Sequence, residues 1–266
     1  MRLQFMAQMS HMSFKAKMQQ AANSKGSSIV LALDFPYQPQ QSRSKLLERA
    51  QLVLEATHPH ICAVKINHHL TLPLGTFDGV EKLVEEVRGQ GLLAIMDAKV
   101  NDIGSTNQVI AEYYFAAGFD AIIANPFIGW DEGIKPLFDV SQRLNRGIIL
   151  LCYMSHKGAA EGYGQTIIDP TTGEKTLQYL SFARKASVWG ADGVVVGATV
   201  PSKIAEVKQV VGENVAIYSP GVGAQGGSAE TAVKAGANYL IVGREITMSD
   251  DPAKSARHIC ESIKWM

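Results

Sequence analysis

Short apolar runs that end in polar or glycine residues recur along the chain: SIVLALD to Asp34, ICAVKIN to Asn67, LLAIMDAK to Lys99 and FDAIIAN to Asn125. Four more follow: GIILLCY to Tyr153, DGVVVGA to Ala198, NVAIYSP to Pro220 and NYLIVGR to Arg244. They have no helical period and are short, so they read as strands covered on both faces. The segments between them carry apolar residues at helical spacing beneath charged faces, as in SKLLERAQLVLEA (44–56), GVEKLVEEVRG (79–89), TNQVIAEYYFAAG (106–118) and SAETAVKAGA (228–237). Eight such strand-then-helix units in 266 residues predict an α/β fold, a (β/α)8 TIM barrel over residues 29–266, rather than a doubly wound sheet.

Residues 1–28 form an N-terminal extension with a short leading helix expected over Ser13 to Ala22, closed by the Ser-Lys-Gly-Ser-Ser break; Met12 is a second candidate start. The 25 residues from Met154 to Gln178 exceed a routine connection and predict a lid or a functional insertion.

Composition narrows the function classes. Lys+Arg and Asp+Glu both number 25, so no global field draws nucleic acid or an anionic membrane, and any anion must be bound locally. No apolar stretch has the length of a membrane span or signal peptide, which predicts a cytoplasmic protein. Cys62, Cys152 and Cys260 have no metal-ligand spacing and read as buried free thiols.

Candidate chemistry gathers where a barrel of this type keeps its site, at the C-terminal ends of the strands. The first strand ends in Asp34, the second carries Lys65, the third ends in Asp97 and Lys99, and the last ends in Gly243-Arg244. In LLAIMDAKVNDIGST, strand alternation points Asp97 and Lys99 one way and Met96 and Ala98 the other, with Asp102 in the loop beyond. Any one of these alone is most simply a solvated strand end. An alternating Asp and Lys array, however, keeps every member ionised and holds a lysine as an ammonium, able to stabilise a carbanion and protonate it.

Gly221, Gly223 and Gly226 have GxGxxG spacing, with Glu245 about 20 residues on, but they follow the seventh strand of eight, where a barrel binds phosphate rather than a dinucleotide. Arg244 supplies a matching guanidinium. His68 and His69 are adjacent, would diverge, and read as loop histidines rather than metal ligands; Ser155 and His156 lack the context of a hydrolase triad. Tyr113, Tyr114 and Phe115 read as core or subunit-interface residues on a helix.

With these motifs in hand, the chain resembles the orotidine 5′-phosphate decarboxylase family. DAKVNDIGST has its Asp-x-Lys-x-x-Asp signature, and the ordered run LALDF, VKIN, MSHKGA, SPGVGAQGG and IVGREI resembles its microbial, especially archaeal, form over about residues 27 to 265. The signature alone is shared with 3-keto-L-gulonate 6-phosphate decarboxylase, a Mg²⁺-dependent sugar-phosphate enzyme and the alternative reading. MSHKGA together with SPGVGAQGG favours the first.

The resemblance implies decarboxylation of orotidine 5′-monophosphate to uridine 5′-monophosphate in de novo pyrimidine synthesis, with no metal or organic cofactor. It implies that Asp97 sits by the substrate carboxylate, that Lys99 protonates C6, and that Lys65 and Asp34 bind ribose hydroxyls. Ser155 would bond the pyrimidine amide, while Gln225 and Arg244, with Pro220, Gly221 and Gly243 around them, would hold the phosphate under the closed loop 220–228. It further implies a homodimer in which Asp102, Ile103 and Thr106 cross the interface into the neighbouring site. The stretch Glu161 to Glu174 is longer than a compact member needs, and the first dozen residues are unusual.

Overall fold

The computed structural model describes residues 12–36, 38, 40, 42–169 and 172–263. Eight parallel strands close into a barrel: β1 (Ile29–Ala32), β2 (Ala63–Ile66), β3 (Leu93–Val100), β4 (Ala121–Ala124), β5 (Gly147–Tyr153), β8 (Gly193–Val196), β9 (Ala216–Pro220) and β10 (Tyr239–Val242). Ile29 pairs with Leu240, joining the last strand to the first and leaving the barrel no free edge. Every residue of β1, β2, β4, β5, β8 and β10 is buried, the physical reason these strands appear as continuous apolar runs. Alternation still sorts their faces. Val30, Ile95, Ile123, Leu151 and Ile241 fill the interior, whereas Leu31, Val64, Ile122, Leu150 and Val242 pack outward in the shell shared with the helices.

The leading helix α1 (Phe14–Lys25) starts at Ser13, whose hydroxyl accepts the Ala16 N–H, and stops at Gly26 in the left-handed region. Its Phe14, Met18 and Ala21 join the interior cluster, so the helix plugs the N-terminal end of the barrel. A Cβ on Gly147, the first residue of β5, would lie 2.2 Å from the Phe14 ring, so only glycine lets the plug seat. Lys15 fastens the helix to the carbonyls of Glu213 and Asn214, and Lys17 to that of Asn145.

Three short polar side chains set the strand starts at this end. Asp120 accepts the Ala94 N–H, Asp192 the Ile148 N–H and Asn238 the Ile217 N–H, each satisfying a backbone donor of a neighbouring strand.

The outer helices are α2 (Arg43–Thr57), α3 (His68–Leu74), α4 (Glu81–Gly89), α5 (Gly104–Ala116), α6 (Lys135–Arg143), α7 (Ala159–Gly162), α8 (Gln178–Trp189), α9 (Pro201–Val211), α10 (Ala229–Lys234), α11 (Arg244–Thr247) and α12 (Pro252–Ile263). One expectation is corrected: His68 and His69 are not loop residues but open α3, because the Asn67 side chain caps it by accepting the His69 N–H.

The segment Met154 to Gln178 holds α7 and an antiparallel hairpin, β6 (Thr166–Ile168) with β7 (Lys175–Leu177). Asp169, at the end of β6, accepts from Ser181 and Arg184 on α8, and Arg184 also reaches Thr176, so the hairpin is pinned to the barrel wall. The three cysteines are free and buried, as expected. Among the described residues, no helix is long and apolar enough to cross a membrane.

Candidate active site

A cavity of about 580 Å³ opens at the C-terminal mouth of the barrel. Its lining includes Asp34, Lys65, Asp97, Lys99, Ser155, Pro220, Gly221, Gln225, Gly243 and Arg244, from strands and loops spread around the whole circumference.

The third strand is where local backbone matters most. Met96 pairs with Ile122 and Val100 with Ala124, so four steps along β3 span two along β4 and the residues between them bulge out of the ladder. Within the bulge Lys99 adopts φ 49°, a left-handed conformation that costs a side-chain-bearing residue about 1–3 kcal/mol and that the surrounding structure must enforce. Asp97 and Lys99 do share a side, as alternation predicts, and the bulge tips both into the cavity.

The charges form a chain. Lys65 Nζ donates to Asp97 Oδ2 at 2.7 Å and lies 3.5 Å from Asp34 Oδ1, while Lys99 Nζ donates to Asp97 Oδ1 at 2.7 Å. Burial alone would raise the Asp97 carboxyl, yet the ammonium groups of Lys65 and Lys99 hold it below the usual carboxylate range. Burial likewise opposes the charge on Lys65, but Asp97 and Asp34 raise it above its ordinary value. Both oxygens of Asp97 are thereby occupied by cations, and the Lys99 side chain, 39% exposed, faces the open cavity.

Across the cavity, the 220–228 loop presents Gly221, Gly223 and Gly226 at φ 96°, 70° and 89°, and cross-bonds from Gly223 N–H to Gly227 O and from Gly227 N–H to Gly221 O brace it. Ser155 donates to Gln225 Oε1 at 2.8 Å, linking the two loops over the mouth, and Thr199 holds the Ser155 carbonyl. Arg244, exposed at the start of α11, has no protein partner among the described residues. A free guanidinium beside glycine-rich backbone suits an anion.

Asp102, Ile103 and Thr106 do not line this cavity. Asp102 and Ile103 are exposed and Thr106 is half-buried at the start of α5. Of the long segment, Met154 and Ser155 line the cavity and the hairpin does not. Sequence reasoning missed the apolar wall of Ile123, Leu151, Val195 and Ile241, and also Asn67, His69 and Met154. His69 Nδ1 lies 2.7 Å from the Phe35 carbonyl, tying α3 to the loop after β1. Among the described residues, no three His, Cys, Asp or Glu side chains gather around a point that could hold a metal ion.

Residues 27–259 match the orotidine 5′-phosphate decarboxylase / HUMPS family. The chain belongs to that family. It is 34% identical over 236 residues to an orotidine 5′-phosphate decarboxylase of Pyrococcus abyssi, covering 89% of this chain and 99% of the relative. It is 36% identical to that of Thermococcus kodakarensis, over 81% of this chain and 91% of the relative. The crystal structure of orotidine 5′-monophosphate decarboxylase from Methanocaldococcus jannaschii, complexed with inhibitor BMP, superposes with a TM-score of 0.72 at 29% identity, over 89% of this chain and 98% of that one. The family assignment thus covers the whole barrel, the glycine loop and Arg244 included.

Proposed function

We propose that the protein converts orotidine 5′-monophosphate to uridine 5′-monophosphate and carbon dioxide, serving pyrimidine synthesis in the cytoplasm. The observation that carries this reading is the Asp34–Lys65–Asp97–Lys99 chain lining one cavity together with a glycine loop and Arg244, which has no protein partner among the described residues. Cleavage of the C6–carboxylate bond leaves an electron pair in the plane of the pyrimidine ring, where the π system cannot absorb it. The fixed ammonium of Lys99 stabilises that pair and delivers the proton, and water restores the lysine.

Asp97, with both oxygens already held by Lys65 and Lys99, repels a substrate carboxylate placed beside it. The repulsion ends when neutral carbon dioxide leaves toward the apolar wall of Ile123, Leu151, Val195 and Ile241. Arg244 and Gln225 bind the phosphate, framed by Pro220, Gly221 and Gly243; Ser155 bonds the base and Asp34 and Lys65 the ribose. Phosphate binding so far from C6 contributes to closing the loops over the reaction.

Each site is completed by Asp102, Ile103 and Thr106 of a second copy of the chain. Supporting this, α5 exposes Val109 and Tyr113, Phe77 packs edge-on to Tyr113 at 5.9 Å, and Ile103 is 61% exposed at the start of the same helix. Apolar side chains grouped in this way fit an interface better than a solvated face.

The test is an orotidylate assay on the purified protein, followed by loss of absorbance with and without chelator. Equal turnover in both is expected. Absence of orotidylate turnover, with chelator-sensitive consumption of a 3-keto sugar-acid phosphate, would overturn the assignment.

A further inference from the structure

We infer that Asn107 is the positioning residue for Asp102, its buried carboxamide gripping the Asp102 peptide so that the carboxylate is presented to the site of a second copy; the inference rests on the shared-site reading above. Asp102 lies between β3 and α5, where neither ladder nor helix satisfies its peptide groups. Asn107, fully buried four residues into α5, supplies the missing partners. Its Oδ1 accepts the Asp102 N–H at 3.1 Å, and its Nδ2 donates to the Asp102 carbonyl. One side chain thus engages both backbone groups of Asp102, its N–H and its carbonyl, as an adjacent strand would.

The grip is anchored elsewhere. The same Nδ2 donates to the Gly133 carbonyl at 2.9 Å, in the turn before α6. The start of α5 is pressed onto that turn: a Cβ on Gly104 would stand 2.9 Å from the Glu132 carbonyl oxygen. The carboxylate itself is also steered, since Asp102 Oδ1 accepts the Ile103 N–H at 2.7 Å. The other oxygen has no protein partner among the described residues, and the exposed side chain does not line its own chain's cavity. A carboxylate so rigidly held yet absent from its own chain's pocket is preorganised for a neighbour.

Differentially tagged chains distinguish this from a merely structural role. Asn107→Ala alone is expected to lower kcat/KM by about 10²-fold through misplacement of Asp102. Co-expressed with Lys99→Ala chains, it should restore activity to about one quarter of wild type, because half the dimers are mixed and each holds one intact site. Asp102→Ala chains paired with Lys99→Ala serve as the reference. Should Asn107→Ala not accumulate as folded protein, Asn107→Ser, whose hydroxyl can keep one bond, enters the same comparison with a smaller loss. Rescue by Asp102→Ala but not by the Asn107 variants would overturn the inference and leave the shared site standing, as would full activity of the Asn107 variants alone. Rescue by neither in verified mixed dimers, or no dimers at all, would overturn the shared-site reading and this inference with it.

Discussion

Lys99 donates to Asp97 Oδ1 at 2.7 Å from a backbone in the left-handed region, two residues further along the same strand. On a regular strand, side chains two apart leave the backbone roughly 6–7 Å from each other and run parallel. The bulge changes that geometry, turning two parallel side chains into a short ion pair while leaving the ammonium open to the cavity. The strained backbone thus maintains the ion pair.

Arg244→Ala should raise KM for the phosphorylated substrate about 10- to 100-fold, the worth of a charge-assisted hydrogen bond at roughly 1.5–3 kcal/mol. The nucleoside orotidine, which lacks the anion, should lose far less. Steady-state kinetics on both substrates reads the difference, and equal losses would remove Arg244 from the phosphate site.

The barrel plug predicts a coupling. Phe14→Ala should cost about 3–5 kcal/mol by emptying a core position, and Gly147→Ala about 1–3 kcal/mol by forcing a methyl into the Phe14 ring. The double variant should be more stable than the sum of the two losses, because the new methyl occupies space the ring has left. Denaturant unfolding of all four proteins measures the cycle. Since both residues lie at the far end from the cavity, residual folded protein should keep its turnover.

The acids give opposite pH signatures. Asp97 is held below its ordinary 3.8, so its stabilising contribution is complete above that value and is lost only as pH falls through the lower folded one. Asp192 is pushed up by burial to about 6, so the folded state binds the extra proton and stability falls as pH rises from 3.8 to about 6. Asp192→Asn, whose carbonyl can still accept the Ile148 N–H, should therefore gain on wild type by about 2–3 kcal/mol between pH 4 and pH 7. Denaturant melts at the two pH values check this, and a constant difference would contradict it.

The barrel was legible because its strands are buried on both faces and its helices are amphipathic. The charged residues were legible because a charge at the end of such a run has few other reasons to be there. What stayed hidden had physical causes. The apolar wall of Ile123, Leu151, Val195 and Ile241 uses the same residues as the core below it, so nothing in the sequence marks where packing ends and cavity begins. The β6–β7 hairpin has only three residues per strand, too few for alternation to register. Helix α3 is seven residues long with Pro73 inside, so His68 and His69 looked like loop. The bulge at Asp97 to Lys99 is a tertiary outcome, and a helical asparagine such as Asn107 shows no sign of its role until the loop is folded against it.

The most direct test of Lys99 as the proton donor compares wild type with Lys99→Ala for orotidylate turnover and, by calorimetry, for uridylate binding. Wild type should turn orotidylate over and the variant should lose at least about 10³-fold, as removal of the proton donor requires, with uridylate still bound through Arg244 and the glycine loop. Turnover by Lys99→Ala near the wild-type rate would contradict it.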